Sequence, residues 1–284
     1  MSDHSSASAS VTRLRLAALT HPGCCRPANE DTVSVAGWSS PERCTEPLDV
    51  TVSATGPLVA LVVDGLGGHA AGATASRLAA DSVSRNAGRL TSIDAVRGVL
   101  VETNVAMYAY AACHPEAAGM GATIAGMVIA GPKGFVFNVG DSSVFRVVDG
   151  YAGVLTETDR ARRLPGQPDD APTTSVVQCL GGGRVEQSID PHAYEVVLQP
   201  GDRFLICSDG LTDAVTVTGE SAALGLDTAQ AATGLLEAAL QAGGPDNVSI
   251  VVVDIITVAD DPEPNDQTDP VAQRSPEQRE EGRS

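Results

Sequence analysis

The sequence predicts an α+β domain in which helices are segregated against antiparallel sheets. Three observations predict it. Residues 58–63 form an uninterrupted apolar run with the length of a buried strand. Helix-like stretches follow it between about 70 and 107. From Gly121 the pattern changes to short β runs, split by Gly131-Pro132, Gly140-Asp141 and Asp149-Gly150 turn signals.

Taken in order, residues 14–20 and 31–36 read as short strands around a turn-rich loop at 21–30. Residues 37–57, with Pro41, Pro47 and Gly56, read as a long polar connector. Residues 70–89 are rich in Ala and free of Pro, as a helix requires. Thr91 and Asp94 match a capping-box start for a second helix. On it Ile93, Val96, Leu100 and Met107 share one face, which is expected to pack in the core. Strands are expected at 123–130, 134–139 and 144–148, and a Pro-containing loop at 160–175. Further strands at 194–198 and 203–207, a helix at 227–241 and a strand at 248–256 complete the pattern.

The 284 residues carry no internal repeat. Residues 2–10 are mostly Ser and Ala, and from Thr257 eight acidic residues stand against three arginines with no aromatic. Such segments cannot bury enough apolar surface to offset their ordering entropy. Disorder is therefore expected over 1–11 and 257–284, around one folded domain at 12–256. The net charge of −18 exceeds the −5 of the tail, so the domain is acidic too. That argues against nucleic-acid and membrane partners. No stretch reaches the ~18–20 apolar residues of a membrane span, and no secretory signal is read. The six cysteines form no Cys-x-x-Cys pair, so reduced thiols in the cytoplasm are expected.

Three segments share a design in which a strand, or a glycine turn beside one, delivers an aspartate. They are Val63-Asp64-Gly65, Ser208-Asp209-Gly210 and Gly244-Pro245-Asp246-Asn247. Each alone is also what an ordinary turn looks like. Three converging carboxylates would repel one another unless cations neutralised them. Oxygen-only donors suit Mg²⁺ or Mn²⁺ rather than zinc, and Gly65 lets its own carbonyl come close enough to join. A fourth segment sets Arg26 five residues before Asp31. The planar donor fork of Arg matches phosphate oxygens. Phosphoryl transfer needs little more than positioned cations, a positioned nucleophile and charge neutralisation.

These segments resemble the 2C-type metal-dependent serine/threonine protein phosphatases in their bacterial form. The pattern Gly-x-x-Arg-x-x-Asn-x-Asp is matched by residues 23–31, and Asp-Gly-x-Gly-Gly-His by 64–69. Gly-x-Gly-x-Thr is matched by 119–123, and Gly-Asp-Ser by 140–142. Ser208-Asp209-Gly210 and Asp246-Asn247 match the last two motifs. The resemblance implies a four-layer α-β-β-α sandwich, two antiparallel sheets flanked by helix pairs. It implies two Mn²⁺ or Mg²⁺ ions bridged by Asp64, with the Gly65 carbonyl, Asp209 and Asp246 as further ligands. Asp31 would hold metal directly or through water, a third ion would use Asp141, and Arg26 would bind the phosphoryl group.

The expected chemistry is direct attack on phosphorus by a hydroxide bridging two cations about 3.5–4 Å apart. His69 would act as general acid for the leaving alkoxide, or only contact water or cap the following helix. The expected partners are phosphorylated proteins, opposed by a serine/threonine kinase, and the expected form is a monomer. A non-catalytic phosphoprotein-binding module and a small-ester phosphatase are the competing readings. Departures from the pattern are Leu66 in place of Met and Ser143 in place of Arg. Residues 156–159 follow the Leu-Thr-x-Asp-His segment only loosely, ahead of a short flap at 160–175.

Overall fold

A computed structural model of the chain describes residues 11–68, 70–161, 175–217, 219–220 and 222–259. Its strands and helices are numbered in chain order. One sheet runs, in spatial order, β13 (Gly219–Glu220), β9 (Tyr151–Val154), β8 (Ser143–Val148), β12 (Arg203–Cys207), β14 (Val248–Thr257), β1 (Thr12–His21) and β4 (Cys44–Ala54). The other runs β11 (His192–Val197), β7 (Lys133–Val139), β6 (Gly121–Ala130), β5 (Leu58–Leu66), β2 (Thr32–Val35) and β3 (Trp38–Ser39). A two-residue β10 (Leu180–Gly181) pairs with the start of β6.

The continuous apolar run of β5 is explained by covering on both faces. Ala60 and Val62 enter the core between the sheets with Leu14, Leu16, Phe204 and Val253. Leu61 and Val63 turn the other way, onto α1 (Ala70–Arg85) and α2 (Ile93–Cys113), with Leu100 and Phe137. A third core lies outside the first sheet, where Leu19, Leu205 and Val252 meet Leu235 of α4 (Thr228–Gln241). The layers are therefore α-β-β-α. Among the described residues, the second helical layer holds α4, the four-residue α3 (Asp209–Thr212) and a 3-10 turn at Ala222–Gly225.

The expected connector at 37–57 is instead β3 and the eleven-residue β4. Leu48, Val50 and Val52 alternate inward against the inter-sheet core while Asp49 faces out to pair with Arg15. Pro47 is tolerated because β4 is an edge strand paired only with β1. The cap of α2 is Ser92, whose Oγ accepts from the Ala95 N–H at 3.2 Å, rather than Thr91. The helix at 70–89 ends at Arg85, followed by a 3-10 turn. The domain edge also reaches further than Ile256: Thr257 pairs with Arg13, and the Ala259 N–H donates to Thr12 Oγ1. The segments 1–10 and 260–284, expected to be disordered, lie outside the described residues, as does most of 160–175.

Arg203 ties β12 to its surroundings. It donates to both carboxylate oxygens of Asp254 on β14, at 2.6 and 2.7 Å, and to the Leu224 and Leu226 carbonyls at 2.6 Å each. Arg203→Ala leaves Asp254 with a single Thr228 donor. The expected cost is about 3 kcal/mol, read as a drop in Tm of roughly 6–12 °C. An unchanged melting curve would show the network to be incidental.

Candidate active site

The chemistry-bearing residues gather at one end of the sandwich. The pairings Thr32↔Val63, Ser143↔Cys207 and His21↔Val248 bring the strand ends level there. Asp31 immediately precedes β2, and Asp64 lies in β5 opposite Thr123. Asp141 sits in the turn by which the chain crosses from β7 to β8, and so from one sheet to the other. Asp209 opens α3 directly after β12, and Asp246 lies just before β14. Five aspartates from distant parts of the sequence thus share one rim.

Two glycines make the approach possible. A Cβ on Gly210 would stand 1.9 Å from the Asn247 carbonyl oxygen. A Cβ on Gly65 would stand 2.2 Å from the Gly72 carbonyl oxygen and 2.6 Å from that of Glu30. Backbone packs against backbone at both places, which carries the acidic turns into contact.

Asp31 is held most firmly. Its Oδ2 accepts from Ser208 Oγ at 2.9 Å and from Ser249 Oγ at 2.7 Å. Its Oδ1 is buried and has no hydrogen-bond partner. Burial raises the Asp31 pKa, against the hydrogen bonds from the two serines. The Asp64 carboxyl is pushed well above the usual carboxylate range, first by burial and then by the charges of Asp31, Asp209, Asp141 and Asp246. Asp209 is raised by burial and by Asp141 and Asp213. Carboxylates that repel each other, a buried oxygen without a partner and a donor set made of oxygen together fit a hard divalent cation. Among the described residues, however, no three His, Cys, Asp or Glu side chains stand ready-made around one point. Three of the five aspartates, Asp246, Asp141 and Asp209, pair with two guanidinium groups.

Arg26 is one of these. Its Nη2 donates to Asp246 Oδ2 at 2.7 Å, and its side chain is 55% exposed. The loop carrying it is pinned by two asparagines. Asn247 donates to the Pro22 and Ala28 carbonyls and accepts from the Glu30 N–H. Asn29 donates to Thr20 Oγ1 and the Glu42 carbonyl, each at 2.7 Å. The Gly65 carbonyl faces the first turn of α1, where Gly72 leaves room for it. His69 lies outside the described residues.

Asp141 differs most from the expectation. It is buried, and its Oδ2 takes Arg160 Nε at 2.9 Å. Arg160 is the second guanidinium of the site, and sequence reasoning assigned it only to a loop. Its one signal was an Arg following the Asp of a loosely matched segment. Ser208 and Ser249 were also missed as supports of Asp31. Ser208 belongs to a quoted motif without an assigned role, and Ser249 is an ordinary strand residue by pattern.

A sequence model described as Protein phosphatase 2C matches residues 42–246. The serine/threonine protein phosphatase PstP of Mycobacterium tuberculosis is 30% identical over 259 residues, covering 86% of this chain and 45% of its own length. This chain therefore spans under half of that relative. A Listeria monocytogenes serine/threonine phosphatase is 28% identical over 214 residues, covering 69% of this chain and 84% of its own. A crystal structure of the M. tuberculosis phosphatase superposes with a TM-score of 0.69 at 28% identity, covering 86% of this chain and 99% of that one. A crystal structure of the catalytic domain of a serine/threonine protein phosphatase PstP in complex with two manganese ions gives a TM-score of 0.67 at 27% identity, covering 87% of this chain and 100% of that one. By the extent of the sequence match, the chain belongs to the protein phosphatase 2C family.

Proposed function

We propose that this chain is a metal-dependent phosphatase acting on phosphoserine and phosphothreonine in proteins. One observation carries the reading: five aspartates from both sheets meet on a single rim beside Arg26, and one of their buried oxygens has no partner. Asp64, Asp209, Asp246 and the Gly65 carbonyl would hold two Mn²⁺ or Mg²⁺ ions, with Asp31 joining directly or through water. The two manganese ions in the PstP catalytic domain support that assignment. When bound, such ions supply a water of lowered pKa and a positive field for phosphoryl oxygens.

The chain's own groups do the rest. Ser208 and Ser249 fix the direction of Asp31. Arg26 lies at the exposed lip and can turn its fork from Asp246 to an incoming phosphoryl group. His69 would be a proton donor to the leaving alkoxide, or only a contact to water or a cap for the helix that follows it. Phosphorylated proteins are the partners, with a serine/threonine kinase as the opposing activity and a monomer as the working form. No described helix is long and apolar enough to cross a membrane. The six cysteines are free thiols, which supports a reducing compartment such as the cytoplasm.

The test is hydrolysis of a phosphothreonine peptide. Chelation should abolish it and Mn²⁺ should restore it. Asp209→Ala should lower kcat/KM by roughly 10³-fold, the effect of several kcal/mol of lost charge stabilisation. Undiminished activity in that variant would sink the assignment. Faster hydrolysis of nucleotides or sugar phosphates than of the peptide would move the substrate class to small esters.

A further inference from the structure

Arg160 is the second feature of the site, and the first five aspartates do not account for it. Its guanidinium reaches three carboxylates at once. Nε donates to Asp141 Oδ2 at 2.9 Å and Nη2 to Asp209 Oδ2 at 2.8 Å. Nη1 and Nη2 donate to Asp213 at 2.7 and 3.0 Å. Asp141 lies on the crossing between the sheets, and Asp209 and Asp213 lie at the two ends of α3. One positive group therefore closes a corner to which three separate negative charges point.

The backbone that carries Arg160 is clamped on both sides. The Asp159 N–H donates to the Gly140 carbonyl at 3.0 Å, and Asp159 Oδ2 accepts from the Gly140 N–H at 2.8 Å. Asp159 is itself held by Gln178 and His192, at 2.9 and 3.0 Å. On the far side Ala161 donates to the Ser175 carbonyl at 2.8 Å and Val177 to the Asp159 carbonyl at 2.7 Å. The Arg160 side chain is only 22% exposed. Burial pulls its pKa down, but the hydrogen bonds it donates to Asp213 and Asp141 outweigh this, and the group stays charged. These are the marks of a placed residue rather than a surface arginine resting on the nearest acid.

We propose that Arg160 is a built-in cation: it fills the Asp141–Asp209–Asp213 corner, excludes a metal ion from it, and holds Asp209 by one oxygen so that the other faces the Asp64 side. The proposal rests on the metal-dependent reading above and changes one part of it. Asp141, which the family resemblance assigns to a third ion, is here the partner of a guanidinium. It also accounts for Ser143, whose small side chain reaches only the Asp141 carbonyl, at 3.3 Å. The positive support of Asp141 comes from Arg160 instead. Arg160 is a positioning residue, since it acts through Asp209 and Asp141.

The experiment counts Mn²⁺ bound per full-length chain by equilibrium dialysis, in wild type, Arg160→Gln, Asp141→Asn and the double variant. Arg160→Gln should bind one more Mn²⁺ than wild type, and the added ion should be lost again in the double variant. Asp141→Asn alone should leave the wild-type count unchanged. Arg160→Lys, a point charge unable to bridge three carboxylates, should bind the extra ion more weakly than Arg160→Gln. Circular dichroism on each variant confirms folding, and Lys serves as the readout if Gln does not fold. An equal count in wild type and both Arg160 variants would overturn the proposal, as would a count that falls by one in Asp141→Asn. The measure is a difference between variants. Failure of the phosphatase reading appears elsewhere, as a wild-type chain that binds no Mn²⁺ and hydrolyses no phosphopeptide.

Discussion

Asp64→Asn should abolish phosphopeptide hydrolysis while raising the melting temperature of the metal-free protein. The two effects have one cause. Asp64 is the carboxylate on which the other charges converge: Asp31, Asp209, Asp141 and Asp246 all act on it, after burial, to disfavour its ionised form. An amide of the same shape removes a like charge from that cluster and keeps a hydrogen-bonding oxygen. Relief of strain of this kind commonly stabilises by roughly 0.5–2 kcal/mol, or about 1–8 °C in Tm for a domain of this size. The same change removes the charge that would bridge two cations, and activity should fall by at least roughly 10³-fold. Calorimetry on chelator-treated protein and a phosphopeptide assay with Mn²⁺ check the pair. A variant that melts lower and still turns over would mean that Asp64 is structural, with no strain held for function.

Gly210→Ala should cause a large stability loss for a single added methyl group. The new Cβ would lie 1.9 Å from the Asn247 carbonyl oxygen and 3.5 Å from Asp246 Cβ. The obstacle is backbone, so it cannot rotate away. Either α3 or the turn before β14 has to move. Overpacking of this kind costs about 3 kcal/mol or more, a drop in Tm of roughly 6–12 °C. Asp209 and Asp246 flank this contact, so Mn²⁺ affinity should fall with it. Gly98→Ala is the control. A Cβ there meets nothing within 4 Å, and Gly98 lies inside α2. Replacement by Ala should stabilise the protein by up to about 1 kcal/mol. Thermal melts of both variants decide the matter, and equal Tm values would show that the 210–247 approach is not tight.

Much of the fold was legible because burial writes itself into residue type. The run at 58–63 needed apolar residues on both faces, and the turns after Gly121 needed Gly and Asp. β4 was not legible, since Pro47, Glu46 and Asp49 look like loop residues until the strand is known to lie at an edge with one wet face. The short β9 carries one inward residue, Ala152, and no pattern long enough to read. In the site, Asp64, Asp209 and Asp246 stood out by their repeated setting beside strands and glycines. Ser249 and Arg160 did not. A serine in a strand and an arginine in a loop acquire meaning only from what folding sets against them.

The amino-acid sequence by itself determined the α+β class, the acidic motifs and the chemistry they imply, because residue type sets which groups tolerate burial and which donors suit a hard cation. Only the tertiary structure decided how those groups are shared out: Asp31 to two serines, Asp246 to Arg26, and Asp141 with Asp209 to Arg160. The reason is physical. Charge and hydrogen bonding act over a few ångströms of space, and residues such as Arg26 and Asp246 lie 220 positions apart until the two sheets close on each other.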